Sequence, residues 1–239
     1  MPEGMYGNHA WMYDLIYADR NYEAACDTLH EILAGHSLEE GSRILEAACG
    51  TGRYLQHLQR WYDVAGFDIS ADMLEIAADR VPDVPLFQAD MTEFVADEPY
   101  DAVLCMFSSI GYVDGTAELE RTCQNFADSL RPGGVVIIEP WLTAQSYEVG
   151  RPGMTTYASE DVKLCRQAVA RRQGNKSRLR FHWLIARRDE GVEHVVGDDH
   201  VTTLFSDDDY RTALRSAGFE VSYRGPDPSE GRGVYIGTI

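Results

Sequence analysis

Lysine is nearly absent from this 239-residue chain. Lys163 and Lys176 are the only two, so arginine carries almost all the positive charge. Against 21 basic side chains stand 39 acidic ones, a formal net charge of −18. A field of that sign repels phosphates at long range and counts against nonspecific binding to nucleic acid or anionic membrane. No apolar run approaches the ~20 residues of a membrane-spanning helix. No C-x-x-C pair occurs, and the cysteines are odd in number: Cys26, Cys49, Cys105, Cys123 and Cys165. A disulfide framework and a zinc site are not expected; reduced, buried thiols in a cytoplasmic protein are. The start, Met1-Pro2-Glu3-Gly4, has neither the basic nor the apolar stretch of a secretion signal.

What is present is enough apolar sequence, 44% of residues, to bury a sizeable core. Apolar runs at 43–48, 64–68, 84–88, 101–106 and 134–139 read as strands. Helical patterns at 10–18, 20–35, 53–60, 71–79 and 116–130 precede or separate them. Ser70 is a natural N-cap, and Arg131-Pro132-Gly133-Gly134 reads as a turn before the fifth strand. This alternation predicts an α/β fold with a parallel sheet and helices on both faces. Between 160 and 205 the period changes to two. Leu179, Phe181, Trp183 and Ile185 share one face, and Arg178, Arg180 and His182 the other. Residues 142–205 are therefore expected to form an inserted antiparallel layer. Residues 1–141 and 206–239 would form the core, closing with a helix after Ser206 and strands at 219–223 and 233–238. Arg166, Arg171, Arg172, Arg178, Arg180, Arg187 and Arg188 crowd the insertion, and a solvated strand face explains them better than a phosphate site. The same polar face leaves room for a homodimer.

The most informative run is Glu46-Ala47-Ala48-Cys49-Gly50-Thr51-Gly52, a buried strand that stops in a two-glycine turn. Asp68 follows 22 residues after Glu46, at the end of the second strand. Strand, glycine turn, helix, strand and terminal acid make a nucleoside-binding unit, in which the acid can accept from a ribose diol. The third glycine of a dinucleotide fingerprint is missing, because Leu55 stands there. Further polar or soft groups fall at successive strand ends: Asp90, Met91, Met106 and Glu139. Asp90 could face an adenine amino group, and Met73 and Met91 could sandwich the ring, since thioethers pack well on aromatic faces.

These segments, with Gly66-Phe67-Asp68-Ile69-Ser70, Gln88-Ala89-Asp90-Met91 and Arg131-Pro132-Gly133-Gly134, resemble the class I S-adenosylmethionine-dependent methyltransferases. Within that family, Met106–Tyr112, Glu139-Pro140-Trp141, His200–Phe205 and Gly231–Gly237 resemble the N,N-dimethyltransferases of nucleotide-linked deoxyaminosugars. The resemblance implies a Rossmann-like sheet of seven strands, the last antiparallel, with S-adenosyl-L-methionine as cofactor and a small-molecule acceptor. It assigns Tyr13 and Tyr22 to the amino acid end of the cofactor, and Ala48 and Gly50 to its backbone path. Asp68 takes the ribose, Met73 and Met91 flank the adenine, Asp90 meets its amino group, and Met106 faces the methyl. Tyr6 would close over the site, with Glu139 and Arg232 bordering the acceptor. Tyr112 and His182 are the candidates to deprotonate or orient an amine. The chain departs from that pattern at Leu142 and at Cys165-Arg166-Gln167-Ala168, both expected near the acceptor. O- or C-methylation of another metabolite and a non-catalytic cofactor-binding protein stay open at this level.

Overall fold

A computed structural model describes residues 5–7, 9–226 and 232–239. The first five strands are β1 (Arg43–Ala47), β2 (Asp63–Asp68), β3 (Leu86–Gln88), β4 (Tyr100–Cys105) and β5 (Leu130–Ile138). Then come β6 (Pro152–Ala158), β7 (Val162–Val169), β8 (Arg171–Gln173), β9 (Lys176–Arg187) and β10 (Gly191–Thr203). The chain closes with β11 (Glu220–Arg224) and β12 (Val234–Thr238). The helices are α1 (Trp11–Ile16), α2 (Tyr22–Gly35), α3 (Arg53–Leu58), α4 (Ala71–Arg80), α5 (Thr116–Asp128) and α6 (Asp207–Ser216).

The main sheet runs β11-β12-β5-β4-β1-β2-β3. Strands β1 to β5 pair parallel, while β12 is antiparallel to both β5 and β11. Period-two burial explains why helices cover both faces. Leu45, Ala47 and Val103 pack on one side with Leu119, Phe126 and Leu214 of α5 and α6. Ile44, Val64 and Leu104 pack on the other with Leu29, Leu33, Leu55 and Leu58 of α2 and α3. The strand order reverses between β1 and β4, and in open α/β sheets ligands bind at that crevice, beyond the carboxyl ends of the strands.

Local signals place the helix starts. Asn21 and Ser70 accept from the backbone N–H three residues on, and Ser206 with Asp209 forms a capping box. The Arg131–Gly134 segment is a correction to the sequence reading. It is a bulge inside β5, where the register jumps from Tyr100↔Leu130 to Ala102↔Val135. The Gly133 N–H donates to Ile239 O and the Ile239 N–H to Gly134 O, so the chain end ties down the bulge.

The insertion forms a second sheet ordered β10-β9-β7-β6, with β8 on β9. Its inner face, Leu164, Trp183 and Ile185, packs on Met5, Met12 and Ile16 of the N-terminal segment and α1. A bulge at Gly197 shifts the β10 register between Val196↔His182 and Asp198↔Phe181. Gly197 has φ 105°, a backbone state that side chains resist. Before the bulge the half-buried residue is Val195; after it Asp198, His200 and Thr202 are buried. One extra residue thus inverts which side chains face inward.

Candidate active site

The turn after β1 is built for close backbone approach. Ala48, Gly50 and Gly52 all take positive φ, and a Cβ on Gly50 would meet nothing within 4 Å. The Gly50 N–H donates to one Asp68 oxygen and the Ser70 N–H to the other, both at 2.8 Å. Burial still raises the Asp68 carboxyl above its usual range despite those amides. Glu46 is buried one strand away and is raised further, first by burial and then by the negative charge of Asp68. Among the described residues its Oε2 has no partner.

Beyond these strand ends lies a cavity of ≈ 180 Å³, lined in part by Ala48, Ile69, Asp90, Met91 and Tyr112. Asp90 Oδ1 accepts from the Thr92 N–H and hydroxyl, each at 2.8 Å. Met73 is not on this wall. It sits with Ala77 on the buried face of α4, four residues apart on one helix side. Ile69, 64% exposed, lines the cavity wall where Met73 does not. Its signal in the sequence is its position directly after Asp68, at the strand end itself.

Tyr13 packs at 4.9 Å from Tyr17 and 6.3 Å from Phe107, ring centre to ring centre. Tyr22 is buried edge-on to Tyr54, and burial pushes its hydroxyl up to about 12. Arg20, which sequence reasoning missed, joins this group. Its guanidinium lies 4.3 Å over Phe107 and donates to Tyr54 Oη at 2.6 Å. Tyr22 Oη and Arg20 Nε are both buried without a partner among the described residues. An adenine-sized cavity, a backbone-lined turn and unpartnered donors and acceptors fit a nucleoside joined to an amino acid.

The loop after Met106 holds two left-handed residues in succession, Phe107 (φ 53°) and Ser108 (φ 64°). Non-glycine residues rarely adopt this state, and neighbouring bonds hold them in it. The Phe107 N–H donates to Glu139 Oε2 at 2.8 Å, and Ser108 Oγ donates to Pro140 O at 2.7 Å. Glu139 and Met106 line a small cavity of ≈ 40 Å³ with Arg20, so Glu139 supports the loop rather than facing the larger acceptor space. Arg232 stacks 4.4 Å over Trp141 and donates to Ser108 Oγ at 2.9 Å. Gly231, on its N-terminal side, lies outside the described residues.

Between the two sheets opens a cavity of ≈ 570 Å³, whose walls include Tyr6, Tyr112, Trp141, Arg166, His200 and Arg232. Leu142 and Ala168, two of the departures noted in the sequence, also line it. Tyr112 is on the wall of both this cavity and the ≈ 180 Å³ one. Tyr6 is anchored over the strand ends, its carbonyl accepting from Ser70 Oγ at 2.6 Å.

His182 requires a second correction. It is exposed on the outer face of β9, 5.8 Å from the His194 ring, because inward positions alternate through Leu179, Phe181 and Trp183. His200 stands at the cavity instead. Its Nδ1 lies 2.6 Å from Tyr112 Oη and its Nε2 2.9 Å from Asp198 Oδ1. Asp198 Oδ2 accepts from Trp183 Nε1 at 2.9 Å. Burial alone would raise the Asp198 carboxyl, but the His200 and Trp183 hydrogen bonds hold it below its usual range. Of the insertion arginines, Arg180, Arg187 and Arg188 form ion pairs with acids of the insertion itself. Arg166 turns inward, donating to Tyr17 Oη at 2.9 Å and lying 4.5 Å over Phe181.

A nucleoside pocket at the switch point beside a second, aromatic-walled cavity defines a group-transfer enzyme on a Rossmann-like sheet. Residues 44–134 match the family described as Methyltransferase domain. The chain is 36% identical over 234 residues to the dTDP-3-amino-3,4,6-trideoxy-alpha-D-glucopyranose N,N-dimethyltransferase of Streptomyces venezuelae, covering 97% of this chain and 98% of that one. It is also 36% identical to the dTDP-3-amino-3,6-dideoxy-alpha-D-glucopyranose N,N-dimethyltransferase of Streptomyces fradiae, covering 99% and 93%. The crystal structure of Streptomyces venezuelae DesVI superposes with a TM-score of 0.90 at 35% identity over 96% of this chain and 98% of that one. CalS10 from Micromonospora echinaspora, an amino pentose methyltransferase solved with S-adenosylmethionine bound, gives 0.85 at 25% identity, covering 96% of each chain. The chain belongs to the class I S-adenosylmethionine-dependent methyltransferases. Among the described residues, no helix is long and apolar enough to cross a membrane.

Proposed function

We propose that the chain methylates the amino group of a nucleotide-linked deoxyaminosugar. The observation that carries the reading is the placing of Tyr112 on the wall between the nucleoside cavity and the large cavity. An amine held at Tyr112 meets the cofactor side of that wall. The cofactor supplies an activated methyl group, and the residues do the rest. Ala48, Gly50, Asp68, Ile69, Asp90 and Met91 hold the adenosine. Arg20, Tyr22 and Tyr13 hold the amino acid end, using the partnerless Arg20 Nε and Tyr22 Oη. Tyr6 and Phe107 cover the reacting centre and exclude water. Fixing the amine in line can supply roughly 7–11 kcal/mol of the barrier at best.

The large cavity suits a charged, extended acceptor. Arg166 and Arg232 reach it and, among the described residues, form no ion pair with a carboxylate. Guanidinium groups recognise phosphate oxygens in bidentate fashion, which assigns them to the diphosphate of a sugar nucleotide. The five cysteines are all free thiols, consistent with a reducing cytoplasmic setting.

The test is incubation with labelled S-adenosylmethionine and a panel of nucleotide-linked aminosugars, the free sugars and their hydroxyl counterparts. Transfer of methyl groups to nitrogen, with the nucleotide form preferred, is the expected result. Transfer to oxygen acceptors alone overturns it.

A further inference from the structure

We propose that His200 takes up the proton that the acceptor's ammonium group must lose, receiving it through the Tyr112 hydroxyl. The proposal rests on the aminosugar reading above. An aliphatic amine is mostly protonated near neutral pH and then has no lone pair with which to attack. Tyr112 does not keep the proton's place as a phenolate, because a phenol is a weak acid that ionises only far above neutral pH, and it therefore serves as a relay to a stronger base.

The geometry supplies a route. A carboxylate only accepts hydrogen bonds, so the 2.9 Å contact with Asp198 places a proton on His200 Nε2. Nδ1 is then the acceptor, and the Tyr112 hydroxyl 2.6 Å away donates to it. Tyr6 Oη, 3.2 Å from Tyr112 Oη, borders the same point. When the ammonium N–H proton passes to Tyr112 Oη, the tyrosine O–H proton passes to His200 Nδ1. The amine becomes neutral, the phenol is restored, and the imidazole becomes an imidazolium beside a buried carboxylate. The Asp198 carboxylate, itself fixed by Trp183 Nε1, stabilises that cation. The proton returns to solvent after product leaves, and no oxidant or further co-reactant is needed.

The charged and titratable groups around His200 come from several elements. Asp198 and Asp199 are on β10, Tyr112 follows β4, and Tyr6 is in the N-terminal segment. Tyr17, just past the end of α1, and Arg166 of β7 line the same cavity as Tyr112. Asp198 and Asp199 bring negative charge to the ring's side of this cluster, and Arg166 brings positive charge to the cavity side.

Two measurements test the proposal. In protein labelled with ¹⁵N-histidine, the neutral His200 ring should show the Nε2–H tautomer; the Nδ1–H tautomer overturns the proposal. The second measurement is kcat/KM against pH for wild type, His200→Gln and Tyr112→Phe. Both variants should lose about 10²–10⁴-fold near pH 7. The deficit should shrink as pH approaches the amine's own range, and nearly vanish with an N-alkoxyamine acceptor that is neutral at pH 7. A loss that is uniform across pH and acceptors overturns the proposal while leaving the aminosugar reading in place. A wild-type enzyme that methylates only oxygen overturns both.

Discussion

The Gly50 amide donates to the Asp68 carboxylate at 2.8 Å, tying the turn after β1 to the end of β2. That bond makes Asp68 a part of the glycine turn, in addition to the role of ribose acceptor proposed for it. Asp68→Ala should strand the Gly50 and Ser70 amides, at a cost of about 1–3 kcal/mol in stability. Affinity for S-adenosylhomocysteine should fall at least about tenfold, or ~1.4 kcal/mol. Calorimetry and thermal melts check both. Unchanged affinity means that the ribose contact lies elsewhere.

Glu46 should trade stability against binding. Its raised carboxyl means that the folded state favours the protonated form. The stability it contributes is fully present below the unfolded value of about 4.3 and is lost as pH rises toward the folded one. Glu46→Gln keeps the side chain's size and removes the charge beside Asp68. Melting curves of the cofactor-free variant should depend less on pH between 5 and 8, with a melting point a few degrees higher at pH 8, about 2–4 °C per kcal/mol. Cofactor affinity should drop, because a partnerless carboxylate oxygen suits a cationic amino group. A variant that binds the cofactor as tightly as wild type refutes that pairing.

Arg20→Met should weaken S-adenosylhomocysteine binding by about 10–100-fold, the ~1.5–3 kcal/mol of a hydrogen bond to a charged group. An analogue lacking the amino acid carboxylate should bind wild type and variant alike. Equal losses for both ligands show that Arg20 acts only through its stacking on Phe107, its hydrogen bond to Tyr54 and its ion pair with Glu139.

His182→Ala should leave methyl transfer unchanged and move stability by no more than ~0.5 kcal/mol, as expected of an exposed side chain. Steady-state rates beside a melting curve decide it. A loss of rate comparable to that of His200→Gln restores His182 to the site.

The central sheet was legible because buried parallel strands are continuous apolar runs whose polar residues collect at their ends. Glu46, Gly50, Asp68 and Asp90 could be placed for that reason. Met73 misled because chemistry was read without helix phase: its partner at i+4 is Ala77, and both face inward. The wrong histidine has a similar cause. The alternation on β9 already put His182 with Arg178 and Arg180, opposite Phe181 and Trp183. His200 gave no such signal, since its direction depends on a register shift in β10 and its partners come from β4's loop and from Asp198. Arg20 was hidden for a related reason, as its contacts with Tyr54 and Phe107 join distant parts of the chain.

The single-residue bulge at Gly197 has a bearing on how acceptor chemistry can change between relatives. With strict alternation from Val195, Asp199 and Val201 would look into the cavity, and Asp198 and His200 would look out. A substitution at Gly197 that keeps the chain length but forbids the bulge would exchange an acid–histidine pair for an acid and an aliphatic side chain without altering any cavity residue. Two relatives could then share every residue of the cavity wall and still present different reactive groups, so comparisons across the family should weigh the residue at this point as closely as the wall itself.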